Sequence, residues 1–549
     1  MTGKHRSSRH KRRWIFWIAI SLLTALTLAG TGISLLYRHA EPFVRARIVA
    51  ALEERFHARV ELDSFHLSLL DGLQAEGHGL RIWPPAEVSG ISVPATSAQP
   101  IIRLAEFHFR APLHFQPGKP FHIALVELNG LDLHLPPRSH FNHAAAPMTT
   151  SKVALHSFQL DAIQCVGATI TLETDKPGKL PQEFALSRLQ LTNIAAAGAL
   201  SFAADLSIPR PQGAVHAEGS FGPWKNSDPG ESPVKGSYRL EHADLASFKD
   251  IAGMLNSTGS YQGPMRDLIV DGQTDTPDFR LTAFNNALPL HTNFHAIVDG
   301  TNGDTRLEPV NAMLGRSPFT ASGQIVRVPD PANPSHSLGH DIALRVTMSH
   351  ARIEDFLRLT SHSNPPLLAG SLALHAVLHI PPGSAPVHRR MSIDGSFNLD
   401  QSHFSSPKIQ DGIEQLSLRG QGHPDQIKTT DPSAVLSTMQ GDFHLAGGML
   451  ALPAMTYSVP GADIQTHGNY GLDGGTLNFT GTARLQATVS EMVGGWTGML
   501  LKPADSFFKK HGAGVELPFH VGGSREDPQF SVDFAGRTFK LPSRAKDKQ

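Results

Sequence analysis

Thirty histidines and one cysteine are the residues of this 549-residue chain best suited to metal or nucleophilic chemistry. The densest histidine group is His134, His140 and His143, beside Pro136-Pro137 in an expected flexible loop. Zinc requires several nitrogen, sulfur or carboxylate-oxygen ligands held about 2 Å from one point, and a loose proline-flanked loop is a poor frame for that. The other histidines are scattered, often at polar strand positions, and read as compositional bias. Cys165 stands between Gln164 and Val166 in a strand-like stretch, where a buried structural thiol is expected rather than a nucleophile. A lone cysteine excludes an intramolecular disulfide and every multi-cysteine metal centre. The sequence contains no Gly-x-Ser-x-Gly elbow, His-Glu-x-x-His helix or Gly-x-x-x-x-Gly-Lys phosphate loop. Scattered carboxylates leave a paired-acid hydrolase open as a class, with no spacing that points to it. The residues therefore describe a non-enzymatic chain with no catalytic residues, no metal and no cofactor.

Composition bounds the partners. Lys and Arg number 48 and Asp and Glu 49, for a net charge of −1. Neutralising phosphates needs a basic surface, so nucleic acid is excluded as the main partner. Apolar residues at 40% against 18% charged provide ample core material, and the length suits roughly three or four domains. Scarce cysteine fits an oxidising compartment.

The elements begin with a membrane anchor. Residues 1–13 form a basic tail carrying Lys4, Arg6, Arg9, Lys11, Arg12 and Arg13. A stretch without charges then runs from Trp14 to Leu36, including Leu22, Leu26 and Ile33. As a helix it would reach about 34 Å, enough for a hydrocarbon core of roughly 30 Å. Trp14 and Trp17 at one end, and Tyr37-Arg38 at the other, suit the interfaces. The basic flank stays cytoplasmic, which leaves the bulk of the chain outside. Cleavage after a signal peptide, near Thr27-Leu28-Ala29, is the alternative. Residues 38–57 then read as a juxtamembrane amphipathic helix, with Val44, Ile48, Ala51, Leu52 and Phe56 on one face. It either lies on the bilayer or caps a sheet.

From about Arg59 the period is two. Ile342, Leu344 and Val346 alternate with polar neighbours, as do Leu477, Phe479 and Leu485, and Phe530, Val532 and Phe534. Alternate side chains leave opposite faces of a strand, so each run builds a sheet with one apolar face, typically antiparallel. A Gly-polar-aromatic signature recurs at Gly219, Gly236, Gly259, Gly395, Gly441 and Gly468. It reads as a turn at a strand start, with glycine permitting the turn and the aromatic pointing inward. Helices are expected at Asp244–Leu255, at Ser349–Leu359 and within Glu491–Lys510. The expected fold is mainly β: one long curved antiparallel sheet forming an elongated apolar groove, with few short helices. The groove region spans 58–485, a C-terminal region with a helical cap spans 486–537, and a flexible tail spans 538–549. At about 14 residues per strand this gives some 30 strands and a trough of roughly 140 Å.

This layout resembles the bacterial AsmA-like proteins. The resemblance opens with Val60-Glu61-Leu62-Asp63-Ser64-Phe65-His66-Leu67 and Gly77-His78-Gly79-Leu80-Arg81-Ile82. It continues through Gly263-Pro264-Met265-Arg266-Asp267-Leu268, Thr276-Pro277-Asp278-Phe279 and Val298-Asp299-Gly300-Thr301-Asn302-Gly303-Asp304-Thr305. It closes with Leu517-Pro518-Phe519-His520-Val521-Gly522-Gly523 and Asp527-Pro528-Gln529-Phe530, covering roughly residues 14–536. The resemblance implies a single-pass protein of the bacterial inner membrane, facing the periplasm. It further implies an apolar groove associated with phospholipid movement and outer-membrane biogenesis.

A one-sided sheet must cover its apolar face or curl around it. A second β layer would make a sandwich; acyl chains would make a conduit. The leading expectation is a groove lined by Ile342, Leu344, Val346, Leu477, Phe479, Leu485, Phe530, Val532 and Phe534, which holds phospholipid tails and conducts them toward the outer membrane. A scaffold or assembly factor for outer-membrane proteins, with outer-membrane or periplasmic protein partners, is the second expectation.

Overall fold

The computed structural model describes residues 41–541 except 43–44, 47, 51, 54–57, 69–72, 84–98, 112–120, 136–157, 174–177, 195–197, 210, 224, 226–228, 249, 334–335, 361–363, 429–434, 473–474, 494–513, 525–526 and 535–536. The expected membrane span Trp14–Leu36, His140 and His143 lie outside the described residues. Among those described, no helix is long and apolar enough to cross a membrane. The architecture is mainly β, with 26 strands among the described residues, and the chain divides into two compact units.

The first unit holds β1 (Val60–Glu61), β2 (Ser64–Ser68), β3 (Leu73–Ile82), β4 (Ile102–Ala111), β5 (Phe121–Leu135) and β6 (Phe158–Leu172). Pairing is antiparallel from β1 to β5, but β5 and β6 run parallel, Phe121 against Phe158 through Leu135 against Leu172. The sheet is therefore mixed, not wholly antiparallel as expected. Residues 136–157, which separate the two strands, are long enough for the crossover that parallel neighbours require. His134 sits inside β5 rather than in a loop.

Glycine sets a crease across this unit. Gly79, Gly130 and Gly167 take φ of +67°, +66° and +67°, and the register aligns them in one row with Ala105. A left-handed residue in a strand breaks the two-residue alternation. Inward positions accordingly step by three: Leu62 and Phe65, Leu104 and Phe107, Cys165 and Ala168 are all buried. Described residues between 41 and 53 are helical, and Ile48 and Val49 pack on the cluster of Leu62, Phe65, Ala75, Leu104 and Phe107. Arg45 donates to the Leu62 carbonyl. This segment caps the sheet.

Three strands, β7 (Gln182–Thr192), β8 (Leu200–Pro209) and β9 (Gln212–Phe221), give residues to both units. The second unit continues with β10 (Pro233–Asp244), β11 (Ile251–Ala252), β12 (Met254–Pro264), β13 (Leu268–Leu281), β14 (Leu288–Val298), β15 (Thr305–Leu314), β16 (Ser317–Pro329) and β17 (Ser337–Arg352). It ends with β18 (Leu368–Ile380), β19 (Ser392–Phe404), β20 (Ser437–Ala446), β21 (Met449–Val459), β22 (Ala462–Gly471), β23 (Leu477–Leu485), β24 (Val515–Gly523), β25 (Pro528–Phe534) and β26 (Arg537–Leu541). From β12 to β26 each strand pairs antiparallel with the next. β26 extends the order to Leu541, into the segment expected to be a flexible tail.

Helices gather at one end of these strands. Ile353–Thr360 places Ile353 and Phe356 on the cluster of Met348, Ala351, Leu372 and Leu399. Pro407–Gly420 places Ile413 and Leu416 on Tyr457, Val459, Ala462, Leu485 and Val515, joined by Met492 from Val489–Val493. The helix expected at Ser349–Leu359 thus begins at Ile353, because β17 runs on to Arg352. The helix expected at Asp244–Leu255 does not form. Asp244 does cap, its carboxylate accepting from Ala246 N at 2.9 Å, but the turn ends at Ser247. Asp250 and Gly253, at φ of +76° and +140°, then return the chain to β11 and β12.

The opposite strand ends are tied by the chain itself. The turn between β14 and β15 is knitted by Asp299, whose buried carboxylate accepts from Thr301 N at 2.9 Å and from Asn302 Nδ2 at 2.9 Å. Lys179 reaches this turn through Asp304, at 3.0 Å, and donates to the Arg327 carbonyl, while Gln182 N donates to the Thr301 carbonyl. A different tie reaches Asp250, at the helix-bearing end, whose carboxylate accepts from Val387 N at 2.9 Å and lies 3.6 Å from His388. Replacing Asp299 by alanine leaves Thr301 N and the Asn302 amide without their acceptors. Urea denaturation should show a loss of about 1–3 kcal/mol.

Candidate functional site

The functional candidate is the apolar face of the second unit, and the strand register builds it. Gly323, Leu344, Leu378, Ile393, Leu445, Leu450, Tyr470 and Leu477 pair successively from β16 to β23. Eight strands at about 4.8 Å make a row roughly 34 Å long, running across the strands. A parallel row runs Met348, Leu374, Phe397, Gly441, Met455, Thr466, Gly481, Phe519 and Val532. Ile342 and Val346 share the face of Leu344, Leu477 and Leu485 that of Phe479, and Val521 pairs with Phe530. By register, Ile342, Leu344, Val346, Leu477, Phe479, Leu485 and Phe530 therefore occupy one face, while for Val532 and Phe534 the backbone pairing alone is described, with Phe519 and Arg537.

Their surroundings differ. Leu485 is 1% exposed, sealed among Tyr457, Ala462 and Val515 beneath the Pro407–Gly420 helix. It is core, and does not line an open surface. Ile342, Leu344, Val346, Leu477 and Phe479 are only half-buried, and Phe530 is 45% exposed. In the first row only Leu445 is fully buried. Where helices cover the face, its residues are sealed; along the Leu344 row they are not.

The Gly-polar-aromatic signature has a different origin from the one expected. Gly236, Gly259, Gly395, Gly441 and Gly468 lie within strands, and across from them stand Tyr261, Tyr238, Phe443, Phe397 and Phe479. A methyl group added to Gly395 would lie 2.8 Å from the Phe443 ring, and one on Gly468 would lie 2.6 Å from Phe479. At Gly236, Gly259, Gly395 and Gly468 the ring leans over the bare backbone of its neighbour, so glycine is required for the ring and not for a turn, whereas Gly441 lies against the Ala454 carbonyl and Met455. The result is a low, aromatic-paved strip along the apolar face. Gly395→Val would force the Phe443 ring and the His375 carbonyl apart, at a cost of about 1–3 kcal/mol readable by thermal unfolding.

The face carries no charge from its tyrosines. Burial pushes the Tyr238, Tyr261 and Tyr457 hydroxyls up, Tyr261 to about 12, so all three stay neutral at physiological pH. Apart from Arg327 and His340 at the strand ends, most charge sits on the other face. There His295 meets Asp271 at 2.7 Å, His291 meets Asp275 at 2.6 Å, His379 meets Asp341 at 2.8 Å and His444 pairs with Asp394 at 2.5 Å. These histidines, read as compositional bias, answer carboxylates on adjacent strands. Such exposed pairs contribute little stability individually but keep this face wet. Cys165 is buried in the first unit, where burial raises its thiol pKa, and takes no part in the face.

No protein-family model, curated protein or solved structure matches this chain.

Proposed function

We propose that the half-buried apolar face of the second unit holds phospholipid acyl chains, and that the protein is an inner-membrane-anchored, periplasmic, AsmA-like lipid conduit toward the outer membrane. The observation that carries this reading is the row from Gly323 to Leu477, apolar across eight paired strands and, apart from Leu445, left half-buried by the described residues. Burying an acyl chain gains about 0.8 kcal/mol per methylene, so a sixteen-carbon tail gains roughly 10 kcal/mol before ordering costs. Because the row repeats similar aliphatic and aromatic groups, that gain changes little from strand to strand, and a tail can shift without falling into one deep site. The aromatic-paved glycines keep the path low. Head groups remain in water, and the protein needs no bond-making chemistry to act. The layout of an apolar N-terminal segment followed by β-sheet, similar to AsmA-like proteins, supports the envelope setting.

The test is to purify the full chain in mild detergent and quantify co-purifying lipid by mass spectrometry. About one or more phospholipids per chain supports the reading. A lipid-free protein that instead cross-links to outer-membrane proteins through its strand edges would favour the scaffold.

A further inference from the structure

Histidine and glutamate alternate across the polar face of the first unit in two adjoining rows. The register sets His66 against Glu76, Glu76 against His108 and His108 against Glu127. The next row sets His78 against Glu106, and Glu106 against Asn129. Where the rows adjoin, one ligand atom each from Glu76, His78 and Glu106 lies within 4.8 Å of the others. We infer that Glu76, His78 and Glu106 form a binding site for a divalent transition-metal ion, zinc being the chemical class that fits best.

The ligand chemistry selects the ion. One imidazole and two carboxylates are borderline-to-hard donors that suit zinc, with water completing the shell. His78 Nε2 lies 3.1 Å from a Glu76 oxygen, close to the spacing of two donors sharing one ion at about 2.1 Å. Asn129 donates to the second Glu106 oxygen at 3.4 Å, which leaves the first free to turn toward the metal. The site sets two carboxylates, Glu76 and Glu106, around one imidazole, and a dication between them offsets the repulsion of the two acids. His108, 3.4 Å from Glu127, and His66, 3.3 Å from Glu41, add flanking groups of the same kind.

The scaffold is rigid at this point. A side chain at Gly77 would meet the Phe107 ring at 2.3 Å, so the ring rests directly on Gly77 on the opposite face and locks β3 to β4. Gly79 and Ala105, in the crease, fix the next position. Glu76, His78 and Glu106 are thereby held without depending on a loop. The second unit offers a contrast: among the described residues its His295–Asp271, His291–Asp275 and His444–Asp394 groups are pairs that gather no third ligand.

The experiment uses the full chain, loaded with zinc, dialysed against metal-free buffer and analysed by inductively coupled plasma mass spectrometry. Wild type is expected to retain one zinc per chain, and zinc should raise its melting temperature. His78→Ala and Glu106→Gln should each weaken retention at least about tenfold and abolish that rise, whereas His295→Ala should leave both unchanged. Circular dichroism of the metal-free variants separates ligand loss from unfolding, and these exposed or half-exposed positions should fold normally. No stoichiometric zinc in wild type, or equal losses in His78→Ala and His295→Ala, would overturn the site.

Discussion

Leu344→Asp combined with Phe479→Asp is expected to reduce phospholipid bound per chain by at least about a hundredfold. Both residues lie on the half-buried apolar face, Leu344 in the long row and Phe479 leaning over Gly468. An aspartate placed against hydrocarbon costs about 2.5–3.5 kcal/mol, and each 1.4 kcal/mol is tenfold in affinity. The loss should appear as missing lipid in mass spectra of the purified variant. Thr480→Asp, one residue along β23 on the polar face, is the matched control. It adds one such carboxylate where His520 can answer it, 3.4 Å from the present hydroxyl, and should bind lipid as wild type does. Equal losses in the two proteins would mean that charge or misfolding, and not the face, was responsible.

Leu485→Ala should have the opposite profile. Leu485 was expected among the groove residues, yet it is sealed beneath the Pro407–Gly420 helix with Val515 and Ala462. Truncating it leaves a cavity in a packed cluster, at about 2–5 kcal/mol, visible as a large fall in the denaturant midpoint. Lipid bound to the fraction that remains folded should be unchanged. The same face thus carries two regions, one that holds the fold together and one left available, and the two substitutions separate them.

Much of this was legible before any coordinates. Alternation alone placed Ile342, Leu344, Val346, Leu477, Phe479 and Phe530 on one surface, because a strand has only two faces and the register joins like to like. Alternation could not show which part of that surface a helix covers. The Pro407–Gly420 helix went unread for a physical reason: its buried positions include Gln410, Glu414 and Ser417, with Gly412 at mid-length, so its pattern is not that of an amphipathic helix. Asp244–Leu255 shows the converse. Leu245, Phe248, Ile251 and Leu255 have helical spacing, but Asp250 and Gly253 take left-handed conformations that no helix tolerates. The Gly-polar-aromatic signature was visible, and its cause was not. A glycine beneath a ring and a glycine in a turn look identical until the neighbouring strand is known. The cross-strand histidine–carboxylate pairs were hidden in the same way, since Asp394 and His444 are fifty residues apart.

Site-specific photocross-linking in cells tests the central claim most directly. A photoreactive residue at Leu344, Leu450 or Phe479 should capture phospholipid, while one at Arg345 or Thr480 on the reverse face should not. Lipid adducts confined to the first three positions are the predicted result. Capture of protein alone at those positions, or lipid trapped equally from both faces, would contradict the account.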